Sequence, residues 1–457
     1  GTFQTLSDVD QNVVYPAEMI VASGVTLSIP SGGAWISNNS YGFQIAGTLS
    51  ISGGSFTCEA SNGNGIDNND SWLAGSTFNI NSGSFIGTND ADFNGATVNL
   101  SGTGLIDIQI DLWGTGILNQ SGGTIQNGSS GGAFYIDAGS SLTGGTINAY
   151  QYNEGPPTYR GLLIDGNTTA TSGHTTNILG NTSSYTPHLK PNVSAQLGNV
   201  VFAAGSTLTF DAGASLAVVG DLTINSGVTL NANSNSFSVA GNWINNGTFT
   251  PGTNTVTFNG TGSITGNTDF YNINVTAGTR TQVASIVSAL GTGGLVINSG
   301  TTYNKQSNTL KLGTGASGST GNCTVNGTFI TTGGSVTRGG TGNYYNFSVG
   351  SAGKIQAANS TFEYMTTLDL SATANPFNNT STDFDGCTFN NWSGSQGLYF
   401  NNGTSISSSM NFNGSGTNIA RVTPASGAGV ITVSGGSGTR WGELYDGEPE
   451  GCAYNFI

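Results

Sequence analysis

The sequence predicts an all-β fold, a right-handed parallel β-helix (solenoid) of about twenty turns, from three observations. The first is a short phrase repeated through residues 216–260, LAVVGDLTINSGVTLNANSNSFSVAGNWINNGTFTPGTNTVTFNG. Its apolar pairs Leu222/Ile224, Val228/Leu230, Phe237/Val239 and Val256/Phe258 are spaced i, i+2, which puts both side chains on one face of a strand. Each pair is followed by Gly, Asn or Ser, residues that turn a backbone. Strands this short cannot each bury a face alone, so the economical arrangement coils them into turns that stack.

The second observation is the period. The phrases GTLSISGGSF, STFNINSGSF, ATVNLSGTGLI, GILNQSGGTI and SLTGGTI place an apolar marker at Phe56, Phe85, Ile106, Ile125 and Ile147, in steps of 29, 21, 19 and 22 residues. A period near twenty fits one turn of a β-helix better than a propeller blade or a helical repeat. The third is composition. Only 7% of the 457 residues are charged, 73 are Gly and 35% are hydrophobic, with mean hydropathy −0.09. Disorder goes with low hydrophobicity and high charge, and here regularly spaced Val, Ile, Leu and Phe supply a core.

In chain order, residues 1–24 are less regular and read as an N-terminal cap or joint, because a first turn exposes a strand edge. Residues 25–149 form a first β-helix lobe, opening on Val25, Leu27 and Ile29. Residues 150–195 gather Pro156, Pro157, Pro187 and Pro191 with both histidines, His174 and His188. Proline cannot donate to a ladder, so this segment reads as an excursion or a link between lobes. A second lobe spans 196–442. Residues 443–457 lose the alternation, collect Glu443, Asp446, Glu448 and Glu450, and read as an acidic C-terminal cap or assembly joint.

The runs GDLTINSGVTL, GNWINNGTFTPGTNTVTFNG and ITGNTDFYNINV, with FDGCTFNNW and GELYDGEPEG further on, resemble secreted bacterial and archaeal cell-surface β-helix repeat proteins of the adhesin-like kind. The resemblance implies an extracellular surface or filament role and contributes no catalytic residue. A chain starting at Gly1 rather than Met accords with a processed, extracellular protein. Net charge is −15, from 24 acidic and 9 basic residues, so the surface offers no counterion-releasing footprint for nucleic acid. No apolar run is long enough for membrane insertion.

The expected function is therefore structural and not enzymatic, a subunit joining other copies of itself end to end. A glycan-binding adhesin and a polysaccharide lyase or hydrolase are the alternatives. Trp72, Trp113, Trp243, Trp392 and Trp441 are candidate sugar platforms or core residues. Lyase chemistry needs converging carboxylates, for which Asp90/Asp92, Asp107/Asp111 and Asp383/Asp385 are candidates. Asp67 and Asp70, with Asp90 and Asp92 about one turn on, offer oxygens to Ca2+, although Asp and Asn also fill turns unaided. Cys58, Cys323, Cys387 and Cys452 lack metal-ligand spacing and are disulfide or inter-subunit candidates, or small buried hydrophobes. Ice binding calls for regular Thr-x-Thr columns, and Thr207/Thr209, Thr255/Thr257 and Thr279/Thr281 do not recur at constant spacing.

Overall fold

A computed structural model describes residues 19–37, 43–58, 71–112, 115–126, 134–150, 160–203, 207–313 and 321–413, less short stretches within them, and the strands 422–424, 430–434 and 453–456. Every assigned regular element is a β-strand and every described strand pairing is parallel, as a solenoid requires. The chain divides into two compact units, Gly1–Asn231 and Ala232–Ile457.

In the first unit the marker residues become one ladder: Phe56 pairs with Phe85, Phe85 with Ile106, Ile106 with Ile125, and Ile125 with Ile147. The unequal sequence steps disappear, because extra residues are spent in turns between strands. Two further inward columns run beside it. Leu27, Leu49, Phe78, Val98 and Leu118 form one, and Ile29, Ile51, Ile80, Leu100 and Gln120 the other. The alternation is regular: in Thr26–Pro30 the two inward residues are buried and the other three exposed. Fully burying a side chain of this size contributes about 1.5–3 kcal/mol, and the column repeats that gain turn after turn.

Within the long strands a glycine marks the corner where the coil changes direction. Gly83 lies at φ +89°, and a Cβ there would collide with the carbonyl oxygen of Gly54 one turn away. Only glycine serves, both for the left-handed backbone and for the close approach of successive turns.

The segment 150–195 stays in the stack wherever it is described. Arg160–Asp165 pairs with Phe134–Asp137 and with His188–Pro191, and His174–Leu179 pairs with Ser141–Tyr150. Pro191 ends its strand in register with Ile164.

The described strands of the second unit fall in parallel sheets that include a three-stranded one, Ser405–Ser407, Val430–Ser434 and Ala453–Phe456. A larger one stacks nine strands of the unit, from Phe237–Val239 to Val422–Pro424, and another seven, from Thr268–Phe270 to Asn411–Asn413. Its core is rich in rings: Phe389 stacks on Phe362 at 5.5 Å and on Phe412 at 5.2 Å. Turn number falls below the twenty expected, because a turn often takes more residues than twenty. Thr302, Thr328 and Lys354 are successive partners 26 residues apart.

Candidate functional site

The outward positions, one per alternate residue, are set by the inward ones and are overwhelmingly Thr, Ser and Asn. In the first unit Thr26, Thr48, Thr77 and Thr97 are successive register partners, and Ile117 follows them. Two residues along each strand, Ser28, Ser50, Asn79, Asn99 and Asn119 form a parallel column. Asn119 Nδ2 donates to Asn99 Oδ1 and Asn99 Nδ2 to Asn79 Oδ1, each at 2.9 Å, so the amides are locked in one orientation. The second unit carries similar columns interrupted by charge: Lys311 and Glu363 in one, Lys354 and Asp369 in others.

The expected acidic pairs do not converge where side chains are described. Asp383 is buried while Asp385 faces outward, because residues 383–386 form a turn and not a strand. The Asp385 carboxyl accepts from the Ser409 hydroxyl and main-chain N–H, which hold it below the usual carboxylate range. Asp107 accepts from Gln126 Nε2 at 2.8 Å. Asp90 and Asp92 close the strand Thr77–Asp92, opposite Gln109 and Asp111. Asp67 and Asp70 lie outside the described residues, as do Glu443, Asp446, Glu448, Glu450 and Cys452. Among the described residues no three His, Cys, Asp or Glu gather around a cation position.

Cys323 and Cys387 are free thiols at 0% exposure, placed as the small buried hydrophobes that the sequence offered as the other reading. Cys323 points inward between Leu295 and Phe347, and burial pushes its thiol well up. The Cys387 thiol is pushed up to about 12, again mainly by burial. Cys58 ends the strand Thr48–Cys58, opposite Ser37 and Gly87. Trp243 is overturned as a sugar platform: it is fully buried, with Nε1 donating to Thr268 Oγ1 at 3.2 Å and Phe237 stacked at 6.0 Å.

Three ionisable side chains lie inside the coil where their spacing alone had not singled them out. Arg280 is fully buried, donates to the carbonyls of Gly241 (2.6 Å) and Gly260 (3.1 Å), and lies 4.3 Å from the Phe258 ring centre. Lys305 is fully buried and donates to the carbonyls of Asn308 and Gly333 (2.6 Å); burial brings its pKa down to about 8. His174 is fully buried in the first unit, its Nε2 3.1 Å from Gln120 Oε1. Gln120 Nε2 donates to the Thr146 carbonyl, so Oε1 accepts and His174 carries its proton on Nε2. That leaves Nδ1 buried without a hydrogen-bond partner, and burial lowers the pKa to about 4. The signal was in the phase of the alternation: Arg280 lies between outward Thr279 and Thr281, in register with inward Tyr303.

The fold defines the class, a parallel β-solenoid with an apolar core, whose described outward columns carry mainly Thr, Ser and Asn. Comparison with family models, curated proteins and solved structures gives no match.

Proposed function

We propose that the chain is an extracellular structural protein, a surface or filament-forming solenoid subunit that joins copies of itself end to end. One observation carries the reading. The strand Ala453–Phe456 pairs in parallel with Val430–Ser434, so the solenoid grows by main-chain pairing of one strand on the next. The same parallel pairing can add a strand from a second copy, and a contact between two different surfaces of one molecule propagates into a fibre. The buried thiols and the inward Trp243 support a packing role for residues that a binding or redox site would display.

Negative-stain electron microscopy of the purified chain tests this over a concentration series, with N455P as the comparison, since proline removes a main-chain donor from the strand Ala453–Phe456. Filaments that lengthen with concentration in the parent and shorten or vanish in N455P are the expected result. Single particles at every concentration, or filaments indifferent to N455P, would overturn it.

A further inference from the structure

We propose that the outward face of the first unit between Thr26 and Asn119 is an ice-binding surface. The register makes it a grid: Thr26, Thr48, Thr77, Thr97 and Ile117 along one line, and Ser28, Ser50, Asn79, Asn99 and Asn119 along the next. Neighbours along a line are about 4.8 Å apart, and the two lines lie about 6.6 Å apart, twice the rise per strand residue. The sequence steps along the first line are 22, 29, 20 and 20 residues. These unequal steps are absorbed in the turns and do not reach the grid.

Chemistry selects the occupant. None of these ten positions is charged, in a chain of net charge −15, so an ionic ligand finds no partner. None is aromatic, so a sugar ring finds no face to stack on. What remains is a neutral, periodic array of hydroxyl, amide and methyl groups held in register, which matches a surface that is itself a periodic array of water. The array is also preorganised. Leu27, Leu49, Phe78 and Val98 behind it are at most 6% exposed, and the chain of hydrogen bonds from Asn119 through Asn99 to Asn79 fixes the amides. Little ordering entropy remains to be lost on binding. In the second unit, charged side chains interrupt outward columns at Lys311, Glu363, Lys354 and Asp369.

The test grows polycrystalline ice slowly from a dilute solution of the full chain and compares protein in the ice with protein left in the liquid. Thr77→Lys and, on a separate strand, Ser50→Lys place a charge in the grid; Thr337→Lys places one on an outward position of the second unit. Circular dichroism checks that each variant folds, and the two grid variants cover one another if either does not. The expected result is enrichment of the parent and T337K in ice, with exclusion of the folded grid variants. Exclusion of the parent, or equal enrichment of parent and grid variants, would overturn the proposal. So would retention on microcrystalline cellulose, lost in the grid variants, without uptake into ice.

Discussion

Lowering the pH from 7 to 4 should open the first unit around His174. Folding depresses this imidazole from 6.5 to about 4, because its free Nδ1 lies in a core that offers a proton no partner. The unfolded chain therefore takes up a proton below pH 6.5 that the folded chain refuses until about pH 4. Stability from this source is complete above pH 6.5 and is lost as pH falls toward 4. At 1.36 kcal/mol per pKa unit, the loss is about 3 kcal/mol. Hydrogen–deuterium exchange across the strands Ile117–Gln126, Ser141–Tyr150 and His174–Leu179 at pH 7 and pH 4, corrected for intrinsic exchange rates, reads it locally. His174→Gln keeps a donor for Gln120 and cannot titrate, so its protection should change less with acid than the parent's. Equal acid sensitivity in parent and H174Q would refute the reasoning, as would undiminished protection in the parent at pH 4.

Three further outcomes are expected. The second unit should gain about 1 kcal/mol as pH rises from 8 to 9, because the unfolded chain holds a proton on Lys305 that the folded chain releases near 8; K305M should lose that slope in urea titrations at the two pH values. Gly83→Ala should cost about 2 kcal/mol or more, since the new Cβ meets the Gly54 carbonyl in a left-handed backbone, and its denaturation midpoint measures this. In a C58S/C452S background, Cys323 and Cys387 should resist a thiol reagent at pH 8 until the chain unfolds; prompt labelling of both under native conditions would contradict their burial.

The coil was legible because its grammar is local. An apolar residue after a glycine corner marks each turn, and Phe56, Phe85, Ile106, Ile125 and Ile147 proved to be register partners although their spacing varies. The grid was illegible for the complementary reason. Which outward threonine neighbours which depends on how many residues each turn consumes, and a 29-residue step from Thr48 to Thr77 yields the same rise as a 20-residue step from Thr77 to Thr97. Residue type also misled at the buried cations. Arg280 and Lys305 read as surface residues by charge and as core residues by phase, and phase won because backbone carbonyls of neighbouring turns were at hand to accept their protons. Pro191 misled in the same way, since it lies at the end of a strand that stays in the ladder, in register with Ile164.

The fold of the first unit depends on strands distant in sequence lying in register along a parallel stack. Spin labels at T26C and I117C, in the C58S/C452S background, test that directly by pulsed dipolar spectroscopy. Four strand spacings separate the two backbone positions, about 19 Å, so a single narrow distribution centred within a label's reach of that value is expected. A broad distribution, or one centred far beyond it, would contradict the stacked register.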